Sequence, residues 1–226
     1  MKSLLLVLPL LFLPLILSSA DSLVLADRGE LLYEENFEQL TKRLQVGKGD
    51  WQIVDGTSIK GMELKGDKHT AFRKMFLDHQ DVIYQFDFKF EGKAYPKFLI
   101  NYELVHLANC IIKPDGFSIS KLNEAGKRKQ MDALAVANGG PIEKGDWQKS
   151  NVVLDSAEMA FEPGQWYTIT IELVGDELAA RIGDVVIRGQ HSGLKEKKTN
   201  FGIQAAGLGE WVHFDNLKIW KAVSKS

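Results

Sequence analysis

Between Val82 and Phe90 the chain alternates Val82, Tyr84, Phe86, Phe88 and Phe90 with Ile83, Gln85, Asp87 and Lys89. Successive side chains of a strand point to opposite faces. This segment therefore offers an aromatic face and a second face bearing an amide, a carboxylate and an ammonium. A strand over Lys97–Leu104 adds Asn101 and Glu103, provided that Phe98, Ile100 and Tyr102 turn to the core. Arg181 stands between Ala180 and Ile182, and Gln204 between Ile203 and Ala205. Such a surface suits sugar hydroxyls if its sheet is concave, while a plain solvated sheet face is the alternative. Asp87 and Glu103 are the candidate catalytic carboxylates; Gln85, Lys89, Asn101, Arg181 and Gln204 are the candidate substrate-binding residues. Retaining glycoside hydrolysis needs two carboxyl groups about 5 Å apart. Asp87 and Glu103 meet that requirement only if their strands are neighbours.

Other catalytic signatures are missing from the sequence. There is no Gly-x-Ser-x-Gly elbow, no phosphate-cradling glycine loop, no His-Glu-x-x-His and no Cys-x-x-Cys pair. The five histidines are scattered, without the short spacings that set two ligands on one metal. No cofactor is expected. The one candidate for Ca²⁺ groups Glu34, Glu35 and Glu38 near the first strand with Asp215 and Asn216 near the last, and Glu35 and Asp215 are its best oxygen donors. Of five tryptophans, Trp51, Trp166 and Trp220 adjoin apolar strands and are expected in the core. Trp147 and Trp211 lie beside Gly-Asp and Gly-Glu, where an exposed indole can stack on a pyranose ring. Cys110 is the only cysteine and lies in an apolar stretch, so a buried, inert thiol is expected.

The elements that must position these groups read as short strands separated by turns such as Lys113-Pro114-Asp115-Gly116 and Ile182-Gly183-Asp184. Strands are expected at Trp51–Val54, Gly61–Leu64, Val82–Phe90, Lys97–Leu104, Ala108–Ile112 and Gly116–Lys121. A second group is expected at Asn151–Asp155, Trp166–Val174, Glu177–Ile182, Asp184–Arg188, Asn200–Ala206 and Trp211–Lys221. This is the pattern of an all-β, two-sheet antiparallel sandwich. Ahead of it, Met1-Lys2-Ser3, the apolar run Leu4–Leu17 and Ser18-Ser19-Ala20 have the layout of a secretory signal peptide. The run is too short for a bilayer crossing of roughly 20 residues. The expected leader is 1–20, with a second cut site after Ala26, and the mature chain is expected to lack a transmembrane segment. A single domain over 27–222 follows, with a long central connection near 122–148. The formal charge of -2 carries no basic patch of the kind nucleic acids require. Lys195-Glu196-Lys197-Lys198 reads as a solvated loop.

Several segments resemble a known family. They are Trp51-Gln52-Ile53-Val54-Asp55-Gly56, Met62-Glu63-Leu64, Phe72-Arg73-Lys74 and Tyr84-Gln85-Phe86-Asp87-Phe88, then Pro163-Gly164-Gln165-Trp166-Tyr167-Thr168, Phe201-Gly202-Ile203-Gln204 and Phe214-Asp215-Asn216-Leu217-Lys218-Ile219. Together they are similar to the concanavalin A-like jelly-roll domains known as 3-keto-disaccharide hydrolase, or 3-keto-glucoside lyase/hydratase, which are frequent in exported proteins of polysaccharide-degrading bacteria. The resemblance implies a periplasmic or extracellular domain that binds or processes carbohydrate, with 3-keto-glycosides as the implied substrates. A non-catalytic structural or adhesion domain of the cell envelope is the alternative. The shared motifs are structural and assign no catalytic residue, so whether the chain is an enzyme stays open.

Overall fold

The computed structural model describes residues 23–38, 43–67, 69–102, 105–122 and 152–225. Fifteen strands lie among them: β1 (Ala26–Glu35), β2 (Gln45–Lys48), β3 (Asp50–Val54), β4 (Ser58–Met62), β5 (Ala71–His79), β6 (Val82–Phe90), β7 (Tyr95–Tyr102), β8 (Val105–Lys113), β9 (Gly116–Lys121), β10 (Val152–Glu158), β11 (Tyr167–Val174), β12 (Glu177–Ile182), β13 (Val185–Gln190), β14 (Lys198–Ala206) and β15 (Trp211–Ser224). They form two antiparallel sheets. The first runs β13-β12-β11-β6-β15-β4-β3, with β1 also paired to β15; the second runs β10-β9-β8-β7-β14-β5-β2. The chain is the expected all-β sandwich. Among the described residues no helix is long and apolar enough to cross a membrane.

Aromatic residues from both sheets meet between them. Phe86 of β6 stacks on Phe98 of β7 with centroids 5.3 Å apart, and Tyr84 tilts onto Phe98 at 4.7 Å. Phe98 in turn stacks on Phe201 of β14 at 5.7 Å, and Phe86 meets Phe214 of β15 at 6.2 Å. Tyr84, Phe86, Phe88 and Phe90 are all buried, so the alternation read along β6 assigns its faces correctly. Cys110 is buried as expected, and desolvation pushes its thiol up to about 12.

Three expectations change. Trp166 lies just before β11, 41% exposed on the outer face of the first sheet instead of in the core. Trp220 packs into a small cluster with Ile83, Ala222 and Leu23, apart from the main core. Trp211 begins β15, where the strand expected at Trp211–Lys221 starts. Lys198 is not solvated: it starts β14 and is completely buried, so that desolvation lowers its ammonium to about 8. Strand β5 was not among the expected strands, and its burial pattern explains why. Arg73 points inward, where its guanidinium donates to the Leu44 carbonyl at 2.8 Å, while Phe72 and the exposed Phe76 point outward. Polar-in and aromatic-out reverses the signal used to find a strand. The central connection lies outside the described residues from 123 onward.

The chain's early and late strands are zipped together. β1 pairs with β15 from Ala26↔Ser224 to Glu35↔Leu217. At its start, Glu172 of β11, only 2% exposed, accepts hydrogen bonds from the backbone N–H groups of Val24, Leu25 and Ala26 at 2.6, 2.7 and 3.1 Å.

Candidate functional site

The outward face of the second sheet forms a shallow trough. In β14 the core takes Phe201, Ile203 and Ala205, which turns Asn200, Gly202 and Gln204 away from it. The same alternation in β7 buries Phe98 and Ile100 and turns Lys97, Leu99 and Asn101 outward. Cross-strand register then sets these residues into rows. Asn200 lies opposite Asn101 on one side and Phe76 on the other, Gly202 opposite Leu99 and Lys74, and Gln204 opposite Lys97 and Phe72. The trough, with a cavity of about 120 Å³, is lined by His69, Phe72, Lys74, Leu99, Asn101, His106, Asn200, Gly202 and Gln204.

Each lining group has a local cause. Gly202 contributes bare backbone to the middle of the floor, so a ligand can approach the strand closely. Phe72 lies flat over Gly47 of β2, where an added Cβ would stand 1.9 Å from its ring; only glycine leaves room for this wall. His69 meets the Phe72 ring edge-on at 5.0 Å. Gln204 is held by Thr70, whose hydroxyl donates to Oε1 at 3.2 Å. That bond keeps the amide nitrogen of Gln204 as the donor end. His106 enters through an irregularity: β7 and β8 shift register between Ile100 and Asn101, which brings Asn101 opposite His106. The Nδ1 of His106 then lies 2.6 Å from Asn101 Oδ1, while Asn101 Nδ2 donates to Asn200 Oδ1 at 2.8 Å. Asn101 and Asn200 are 6% and 1% exposed, so both amides are held in place.

A second polar cluster lies behind the trough. His79 Nδ1 bonds the Leu77 carbonyl and Nε2 meets the Tyr84 hydroxyl. Burial drops His79 to about 4, aided by the neighbouring Lys198 charge, and pushes the Tyr84 phenol well up. This cluster is internal and belongs to the core.

The residues picked out from sequence divide between the two sheets. Asn101 and Gln204 lie in the trough. Gln85, Asp87, Lys89 and Arg181 lie on the outer face of the first sheet, on the far side of the core. There Asp87 accepts from Thr168 Oγ1 at 2.5 Å and Asn216 Nδ2 at 2.8 Å, and Gln85 accepts from Arg28 at 2.6 Å. Lys89 sits over the Trp166 ring at 4.8 Å, and Lys60 over the Trp211 ring at 4.2 Å. Glu103 and Trp147 lie outside the described residues. The pairing of Asp87 with Glu103 required neighbouring strands; β6, which carries Asp87, and β7, which ends at Tyr102, belong to different sheets. The two Ca²⁺ candidates are also separated. Glu35 is buried, accepting from the Tyr33 hydroxyl and the Phe37 N–H, whereas Asp215 stands beside Asp87 on the outer face, its carboxyl raised by desolvation and by that like charge. Glu34 pairs instead with Lys218 at 2.9 Å. Among the described residues no group of three His, Cys, Asp or Glu side chains could hold a metal ion.

Comparison with known proteins agrees with this architecture. The model of the 3-keto-alpha-glucoside-1,2-lyase-like domain matches residues 33–220. The chain belongs to that family. No curated protein matches its sequence. Among solved structures, the lyase-like domain is similar to the CBM2 module of the evolved Dit of Lactobacillus casei BL23 phage J-1, at 11% identity and a TM-score of 0.63, covering 88% of this chain and 99% of that one. It is also similar to the carbohydrate-binding module CBM66 from Bacillus subtilis, at 12% identity, TM-score 0.56, covering 79% and 96%. A third similar structure is the Bacillus licheniformis beta-glucanase, at 7% identity, TM-score 0.58, covering 86% and 99%. At these identities the likeness is one of fold.

Sequence reasoning missed His69, Phe72, Lys74, His106 and Asn200 as members of the lyase-like domain's trough. The alternation around Phe201 and Ile203 put Asn200 within reach, because it shares its face with Gln204. His106 was out of reach, since a register shift is invisible in single-strand alternation.

Proposed function

We propose that the trough on the second sheet binds a carbohydrate, and that the chain is an exported carbohydrate-processing domain acting on 3-keto-glycosides. The observation that carries this reading is the ring of fixed donors and acceptors around a bare-backbone floor. Asn101, Asn200 and Gln204 present amides whose orientations are held by neighbouring hydrogen bonds. Amides of this kind match sugar hydroxyls, which both donate and accept. Phe72 supplies an apolar wall for the C–H face of a pyranose. Membership of the family described as 3-keto-alpha-glucoside-1,2-lyase-like supports the chemistry. A ketone at C3 acidifies the C2 proton, so removing that proton and expelling the C1 substituent needs one base and a donor to the developing enolate. It does not need the paired carboxylates of glycoside hydrolysis. Export is supported by the layout of residues 1–20.

The test uses the mature protein with methyl 3-keto-glucosides of both anomers, the parent glucosides and β-glucans. Elimination of a 3-keto-glucoside, weakened by Gln204→Ala and unchanged by Asp87→Asn, supports the trough. Loss on Asp87→Asn with Gln204→Ala intact would move the site to the outer face of the first sheet. Binding by calorimetry with no turnover would leave a carbohydrate-binding module, and neither binding nor turnover would end the carbohydrate reading.

A further inference from the structure

Two imidazoles line the trough; His69 Nδ1 meets the backbone carbonyl of its neighbour Thr70 at 2.9 Å, whereas His106 is oriented by a pair of buried side-chain amides. Asn101 donates through Nδ2 to Asn200 Oδ1, and this leaves its own Oδ1 facing His106 Nδ1 at 2.6 Å. An amide oxygen only accepts, so Nδ1 of His106 carries the proton and Nε2 is the basic nitrogen. Flipping the Asn101 amide alone would set its oxygen against the Asn200 oxygen, and that bond would be lost in a buried place. His106 itself is exposed. A buried pair of amides thus orients an accessible imidazole, in the way a nucleophile's base is oriented by a third group. Lys74 and Gln204 line the same cavity beyond the Gly202 floor.

We propose that His106 is the proton acceptor of this site, with Asn101 and Asn200 as its positioning residues, acting on a glycoside oxidised at C3. The assignment rests on the carbohydrate reading of the trough. In the step, the C2–H bond breaks and its proton passes to His106 Nε2. The electron pair delocalises onto the C3 oxygen, towards the Lys74 ammonium and the Gln204 amide. It then returns to form the C1–C2 double bond as the bond from C1 to the aglycone oxygen breaks. That oxygen takes the proton back from the imidazolium, so the base is restored and no oxidant or reductant is consumed.

The experiment compares wild type with His106→Asn, Asn101→Leu and Asn101→Asp on methyl 3-keto-glucosides. It reads methanol release, solvent-deuterium exchange at C2, and calorimetric affinity for the parent glucoside. His106→Asn is expected to lower kcat and exchange together by about 10²-fold or more, the usual contribution of a positioned base, with affinity within threefold. Asn101→Leu should lower kcat about tenfold and also raise KM, because its amide lines the sugar site as well as holding His106. Asn101→Asp should move the acid limb of the pH–rate profile upward, because a carboxylate favours the imidazolium; a purely structural role for Asn101 would leave that limb in place. An active wild type whose His106→Asn variant keeps a third or more of its kcat overturns the base assignment alone. A wild type that neither eliminates nor exchanges overturns the functional reading, and the assignment with it.

Discussion

The carboxylate of Glu172 holds three consecutive backbone N–H groups at the start of β1, and removing it should loosen that edge of the sandwich. Ala26 is fully buried, so its N–H finds no substitute when Glu172→Ala removes the acceptor. That bond alone is worth about 2 kcal/mol, as expected of a hydrogen bond to a charged group. The N–H groups of Val24 and Leu25 are only partly buried, and water replaces much of what they lose, at about 0.5 kcal/mol each. The sum, about 3 kcal/mol, corresponds to a fall in Tm of about 6–12 °C for a domain of this size. A chain starting at Asp27 loses the same three bonds from the other side. The two changes should therefore be non-additive, with the double variant no less stable than the more damaged single one. The assay is thermal or urea unfolding of the four proteins in a double-mutant cycle. Additivity within about 0.5 kcal/mol, the behaviour of independent sites, would refute the clasp.

Three more outcomes are expected. On the proposed reading that the chain is exported, its product should begin at Asp21 and not at Asp27, because a cut after Ala26 discards the residues that Glu172 holds; N-terminal mass spectrometry reads this directly. Phe86→Ala should cost roughly 3–5 kcal/mol, since the ring fills the contact between the sheets, and a Tm within a degree of wild type would contradict that placement. His79, held at about 4 in the fold against an ordinary 6.5, is protonated more readily in the unfolded chain. Stability should thus be fully present above 6.5 and decline as the pH falls towards 4, by up to about 3 kcal/mol, and His79→Gln should flatten that part of the Tm-against-pH curve.

Strand alternation was enough to place Phe86, Phe88 and Phe98 inside, because a core face repeats every second residue and nothing interrupts β6. It was also enough to turn Gln204, Asn101, Asp87 and Arg181 outward. It could not tell which outward face each belonged to, because an outward face looks alike in both sheets of a sandwich. Whether the two strands were neighbours was left open by their succession in the sequence; the chain crosses from one sheet to the other between β6 and β7, and Asp87 lies on the far side of the core from Asn101. Strand β5 escaped notice because Phe72 lines the trough and Phe76 is exposed while its arginine faces inward between Ala71 and Met75. Trp166 was misplaced for a related reason: a tryptophan beside an apolar strand can cover the outer face as well as the inner one, here under the Lys89 ammonium. The His106 relay depends on a one-residue slip between β7 and β8, which arises from pairing and leaves no trace in composition or period.

The pairing of β1 with β15 bears on how this domain answers a mechanical load. The two strands are antiparallel, and Ala26 faces Ser224 at the end where the chain enters and leaves. Tension applied through those two ends pulls across the ladder and meets its rungs one at a time, as in opening a zipper. A sandwich loaded along the length of its terminal strands would strain many rungs at once and resist far more. Here the first connections to feel the pull are the Glu172 contacts, the Lys225 ammonium on the Leu23 carbonyl at 2.6 Å, and the Ala26–Ser224 pair. Under force the first sheet should peel from this edge at low tension, while the second sheet, which holds the trough and carries neither end, stays folded longer.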